Sequence, residues 1–244
     1  MKAWSHTDTG KARTQNQDFY HVELFHESDY ALCVVCDGMG GAKAGNVASE
    51  LACTTFVEEF HMALKPTMNA KAIRSALRQA VKEANRKVFE KSRSSPDYYG
   101  MGTTLVGGLI TSERAIIANV GDSRAYLADT EGIQRITHDH SVVEDLLLRG
   151  ELNAEQARNH PSKNLITRAL GTEEEVLCDI FTLELRPGDY ILLCSDGLSN
   201  MVDDQELLYE LMHSREDSDV CQRLVDIANE RGGPDNITLA VLEI

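Results

Sequence analysis

Four times in 244 residues an apolar run meets a single aspartate among glycine or other small residues. The stretches are LCVVCDGMGG with Asp37, ANVGDSR with Asp122, ILLCSDGLSN with Asp196 and GGPDNITLAVL with Asp235. Aspartate and glycine are ordinary turn residues, so any one of these reads simply as the end of a strand. Together they restrict the fold. Apolar strands must run into charged ends, and where those ends meet, like charges meet. Cations standing between the carboxylates remove that repulsion. The donors are all oxygen, with no histidine or cysteine acting in the motifs, a set that suits Mg²⁺ or Mn²⁺ and not zinc. The glycines let the backbone approach closely and free a carbonyl as a further ligand.

The rest of the chain supplies sheets and helices to carry these ends. Strands are expected over residues 2–8, 19–25, 30–36, 103–111, 114–120, 123–128, 176–185, 189–194 and 237–243, all short and bounded by Gly, Asp or Ser. Residues 69–91 place Ile73, Leu77, Ala80, Val81, Ala84 and Val88 on one helical face. Residues 44–65 do the same less cleanly through Ala48, Leu51, Ala52, Phe56, Phe60 and Leu64. A third helix, 217–231, uses Val220, Leu224, Ile227 and Ala228 and is stopped by RGGP. Short turns between strands imply antiparallel pairing, and helix pairs inserted between strand groups imply layers of helix on sheet. Residues 138–163 are polar and weakly periodic, and a surface flap over about 141–163 is expected to border the site. No repeat or linker divides the chain, so one domain is expected over 1–244.

Composition excludes several classes. With 39 acidic and 24 basic residues the net charge is −15, which argues against nucleic acid or an anionic membrane as partner. No apolar run reaches the roughly 18 residues of a membrane span, and no apolar signal segment opens the chain. Cys33, Cys36, Cys53, Cys178, Cys194 and Cys221 are scattered, mostly in apolar runs, as expected of buried thiols in a reducing cytoplasm. GMGG follows a strand, but a dinucleotide fingerprint needs a third glycine where Lys43 stands. His138 and His140, in THDHS, are expected to lie on the flap's polar surface or to pack locally.

Upstream, GKARTQNQD brings Arg13 and Asp18 to a strand start, and beside a metal cluster the planar fork of Arg13 suits a phosphate dianion. In chain order, RTQNQD, VVCDGMGG, GTTLV, ANVGDSRAYL, NLITRALG, LLCSDGLSN and GGPDNITLAVL resemble the type 2C metal-dependent serine/threonine protein phosphatases (PPM family) in their compact bacterial form. The likeness runs from about Thr7 to Val241.

The resemblance implies an α+β fold, a four-layer α-β-β-α sandwich of two antiparallel sheets flanked by helix pairs. It implies hydrolysis of phosphoserine and phosphothreonine in proteins, a hydroxide formed at a binuclear Mg²⁺ or Mn²⁺ centre attacking phosphorus in line. Carried over residue by residue, Asp37 bridges both ions, the Gly38 carbonyl binds the second, and Asp196 and Asp235 complete the first. Asp122, with Asp196, matches the holder of a third, weaker ion. Arg13 matches the substrate-phosphate ligand, and Asp18 an outer carboxylate that orients water. Asn236 supports the centre through hydrogen bonds.

The implied partners are phosphoprotein substrates, including a serine/threonine kinase and its targets, and a monomer is the expected state. Two departures stand out. Many members read NED where this chain has Asn16-Gln17-Asp18, so an amide, Gln17, replaces an acidic contact to water. Many eukaryotic members carry a histidine general acid where Met39 stands. The competing reading is a catalytically weak phosphoprotein-binding sensor of the same fold. Such a relative would usually have lost one of the carboxylates, and all are present.

Overall fold

The computed structural model describes residues 1–25, 29–40, 44–65, 68–153, 156–157, 160–213 and 219–244. Lys43, the first two residues of the expected helix 217–231 and residues 154–155 and 158–159 of the expected flap lie outside these. In chain order the strands are β1 (Lys2–Asp8), β2 (Asp18–Phe25), β3 (Tyr30–Met39), β4 (Gly102–Thr103), β5 (Leu105–Thr111), β6 (Arg114–Val120), β7 (Arg124–Asp129), β8 (Gly132–Arg135), β9 (Asp179–Glu184), β10 (Tyr190–Cys194) and β11 (Ile237–Glu243). The helices are α1 (Gly45–Ala63), α2 (Ala70–Ser92), α3 (Val142–Leu148), the single turn α4 (Asp196–Ser199), α5 (Asp204–Met212) and α6 (Val220–Glu230).

Two antiparallel sheets result. One runs β1-β11-β10-β7-β8; the other runs β2-β3-β5-β6-β9, with β4 added beside β3. Alternation along β3 explains how both faces are filled. Ala31, Cys33 and Val35 face the other sheet and pack with Ile117, Ile191, Leu193 and Leu242. Leu32, Val34 and Cys36 face outward onto α1 and α2, meeting Phe56, Phe60, Leu77, Val81 and Val88. The opposite outer layer is α5 and α6, whose Leu207, Leu211, Leu224 and Val225 cover Tyr126, Leu192 and Leu239. The four-layer α-β-β-α arrangement is therefore present. Cys33 and Cys36 lie on opposite faces of β3, and all six cysteines are free thiols. Burial pushes Cys178 and Cys194 up to about 12, so these behave as small apolar side chains. Among the described residues no helix is long and apolar enough to cross a membrane.

Helix ends follow local chemistry. The Asn69 side chain accepts from Ala72 N–H to start α2, and Asp219 accepts from Cys221 and Gln222 N–H to start α6. Past α6, Gly232 and Gly233 adopt φ of 111° and 45°, which ends the helix.

The structure corrects several expected boundaries. The strand expected over 30–36 continues to Met39, because β4 offers Gly38 and Met39 ladder partners in Thr103 and Gly102. The strand expected over 103–111 is broken at Thr104, whose hydroxyl is taken by Asp37 N–H. Asp196 opens α4 rather than a bare turn. β8 and α5 were not expected, and α3 is the helical excursion of the polar segment.

Phe56 is fully buried and stacks on Phe60 with ring centroids 6.4 Å apart. Phe56→Ala should lower unfolding free energy by about 3–5 kcal/mol, read as a shifted urea midpoint at unchanged m-value.

Candidate metal centre

Antiparallel register brings the acidic ends together. Asp18 opens β2 directly opposite Asp37 of β3. Asp122 lies in the turn between β6 and β7, which passes the chain from one sheet to the other. Asp196 follows β10 and Asp235 precedes β11, and these strands pair with Cys194 opposite Leu239. Asp37, Asp122, Asp196 and Asp235 thus line one cleft of about 520 Å³, with Arg13, Gln17, Gly38, Met39 and Asn236. Thr14, Gln15, Gly40, Thr104, Asn164 and Ile166 complete its walls.

Gly38 is required sterically. A Cβ there would stand 2.1 Å from the Gly45 carbonyl oxygen and 2.5 Å from that of Gln17. Gly197 is comparable, with 1.9 Å to the Asn236 carbonyl oxygen. Each glycine therefore lets a carboxylate-bearing segment press against its neighbour's backbone.

Hydrogen bonds fix the carboxylates' backbones. Asp37 N–H donates to Thr104 Oγ1 at 2.9 Å, and the Asp37 carbonyl accepts from Thr104 N–H and Thr103 Oγ1, each at 2.9 Å. Thr104 Oγ1 also meets Ser123 Oγ at 2.7 Å, tying the Asp122 turn to Asp37. Asn236 Oδ1 accepts from Gln17 N–H at 2.8 Å, and its Nδ2 donates to the carbonyls of Thr9 and Gln15 at 2.9 and 3.0 Å. This one amide holds the loop that carries Arg13 against the start of β11.

The electrostatics are those of crowded acids. Burial, then Asp18, Asp196, Asp122 and Asp235, push the Asp37 carboxyl well above the ordinary carboxylate range. Burial and Asp196 raise Asp122 to about 7. Asp196 is raised by burial and by Asp235. Asp18 stands behind the cleft, 7% exposed, and burial raises it to about 7 although Ser195 Oγ donates to its Oδ2 at 2.8 Å. Its Oδ1 has no partner among the described residues.

Among the described residues no three acidic, histidine or cysteine side chains close into a ligand cage. The carboxylates stand around the cleft, Asp235 held by Arg13 Nη2 at 2.7 Å and Asp196 by Asn200 Nδ2 at 3.0 Å. The donor set nonetheless fits hard divalent cations: carboxylate and carbonyl oxygens, mutually repelling, around a polar cleft.

The structure brings every sequence-derived site residue to this place, Asp18 one layer behind. Arg13 is paired with Asp235 and is half-exposed beside the cleft. His138 is exposed in the segment between β8 and α3, and His140 is buried and not among the cleft-lining residues. Sequence reasoning gave no role to Thr104, Ser195, Asn200, Asn164 or Ile166. The GTTLV motif held the signal for Thr104, NLITRALG for Asn164 and Ile166, and LLCSDGLSN for Ser195 and Asn200, but no role was read from these positions.

The fold and its acidic cleft agree with the class that the comparison gives, the metal-dependent protein phosphatases: the chain belongs to the protein phosphatase 2C family, whose model matches residues 5–228. It is a protein serine/threonine phosphatase. It is 39% identical over 244 residues to the serine/threonine phosphatase stp of Listeria monocytogenes, covering 100% of this chain and 96% of that one. It superposes on the Streptococcus agalactiae serine/threonine phosphatase with a TM-score of 0.92 at 36% identity, covering 100% and 99% of the two chains. The catalytic domain of the phosphatase PstP, solved in complex with 2 manganese ions, matches with a TM-score of 0.84 at 33% identity, over 99% and 97%.

Asn236→Ala removes three hydrogen bonds at the root of the Arg13 loop. It should cost about 2–3 kcal/mol of stability and speed amide exchange over residues 9–17, with the exchange of β3 unaltered.

Proposed function

We propose that this phosphatase acts through Asp37, Gly38, Asp196 and Asp235 as ligands of two Mg²⁺ or Mn²⁺ ions, with Asp122 and Asp196 holding a third, weaker one. The observation that carries the reading is the convergence of four carboxylates from separate segments on one cleft. Bound there, the ions would supply a nucleophile from water near neutral pH and Lewis acidity towards the phosphoryl oxygens.

The chain's own residues do the rest. Asp37 and the Gly38 carbonyl sit on a strand clamped by Thr103 and Thr104, a rigid platform for ligands. Only one guanidinium nitrogen of Arg13 is engaged by Asp235, so its remaining donors serve a phosphate entering the cleft. Asp18, held by Ser195, and Gln17, on the cleft wall, order water at the back of the site. Met39 lines the cleft with a thioether that has no proton to give, so the leaving serine or threonine oxygen is protonated from another source. Asn164 and Ile166, from the segment after the flap, meet the residues flanking the phosphorylated side chain.

The reading extends to a single catalytic unit over 1–244 that works as a cytoplasmic monomer. Its substrates would be phosphoproteins that include a serine/threonine kinase and that kinase's targets. The naming of the Listeria and Streptococcus relatives as serine/threonine phosphatases supports the substrate class.

Asp37→Asn should reduce hydrolysis of p-nitrophenyl phosphate in Mn²⁺ by about 10³-fold or more and weaken Mn²⁺ binding in calorimetry; wild-type turnover would remove Asp37 from the centre. Arg13→Ala should raise KM for a phosphothreonine peptide by about 10-fold and leave the number of bound ions unchanged.

A further inference from the structure

His140 is 6% exposed and lies outside the ligand set, yet it grips the turn that carries Asp122. Its backbone N–H donates to the Gly121 carbonyl at 3.0 Å, and Gly121 N–H donates back to its Nδ1 at 3.0 Å. On the ring's far side, Nε2 lies 3.0 Å from Asp179 Oδ2 and 3.1 Å from Arg168 Nη1. These contacts select one tautomer. A backbone N–H can only donate, so Nδ1 must be bare. Nε2 then carries the hydrogen and gives it to Asp179. Arg168, which can only donate, sits beside that bond and reaches Asp179 Oδ1 at 3.4 Å. The opposite tautomer would satisfy Arg168 but would set Nδ1–H against Gly121 N–H and lose the Asp179 bond. A doubly protonated ring would also orphan the buried Gly121 donor.

The turn so held is tightly constrained. Gly121 has φ of 105°, and a Cβ there would meet Thr104 Cγ2 at 2.6 Å. Ser123 bonds Thr104, and Thr104 accepts from Asp37 N–H. A continuous path therefore runs from the His140 ring through Gly121, Asp122, Ser123 and Thr104 to Asp37. Close by, Arg124 makes a bidentate pair with Asp139, the residue before His140, with Nε at 2.9 Å and Nη2 at 2.6 Å.

We infer that His140 is a positioning residue for the phosphatase reaction. Held as the Nε2–H tautomer by Asp179, it fixes the Gly121 peptide and so aims the Asp122 carboxylate into the cleft. The inference rests on the reading of Asp122 as a working ligand.

The test begins with the intact protein. Imidazole ¹⁵N spectra should show His140 bare at Nδ1 and protonated at Nε2; the opposite tautomer overturns the proposal. In His140→Ala, exchange of the Gly121 amide should rise about 10-fold while β3 amides are unchanged. Its kcat should fall about 10-fold with KM for p-nitrophenyl phosphate within about twofold. His140→Asn places an amide oxygen where Nδ1 stood and should restore both Gly121 protection and most of kcat. Unchanged Gly121 exchange in His140→Ala, or no rescue by Asn, overturns the proposal. Asp122→Ala is the control: if it lowers kcat and His140→Ala does not, the proposal alone fails. If neither lowers kcat, the reading of Asp122 has failed.

Discussion

The structure depends on holding like charges close together. Asp18 and Asp37 stand opposite each other across an antiparallel pair, an arrangement that destabilises an ordinary sheet. Asp122, Asp196 and Asp235 add three more carboxylates at the same end of the stacked sheets. The folded chain withstands this because each carboxylate's backbone is pinned elsewhere, by the three core layers and by threonine, serine and asparagine side chains. Divalent cations, on which the family's chemistry depends, would relieve that repulsion.

That constraint explains why the site is built on strand ends rather than on loops alone. A one-residue slip of β3 against β2 would move Asp37 to the opposite face and expose Leu32 or Cys33 to the wrong core. The apolar alternation that fills two cores therefore also fixes where Asp37 points. The glycines serve the same end, since Gly38 and Gly197 allow backbone contacts that any side chain would push apart. Stability and function are coupled through the register.

Much of this was legible in the sequence. The four aspartates announced themselves because each interrupts an apolar run beside small residues, and the core faces of α1, α2 and α6 followed from spacing. Other features were hidden for physical reasons. β3 was expected to stop at residue 36, before Asp37, because a charge after apolar residues looks like an exit, but β4, far along the chain, extends its ladder. α5 is short, and only Leu207, Leu211 and Glu210 of it are buried, so its periodicity is faint. Ser195 meets Asp18 across 177 residues, a contact that no local pattern encodes. Arg13 was assigned to phosphate by its planar fork and by resemblance; its pairing with Asp235 is visible only in three dimensions. His140 was read as flap polarity or local packing, and the fold turns that local packing towards Asp122.

The central claim is that these oxygens form one cation-binding centre. Anomalous diffraction from crystals soaked in Mn²⁺ tests it most directly. The account predicts two strong peaks within bonding distance of Asp37, Asp196, Asp235 and the Gly38 carbonyl, about 3.5–4 Å apart. Peaks confined to other surfaces, with this cleft bare at saturating Mn²⁺, would contradict it.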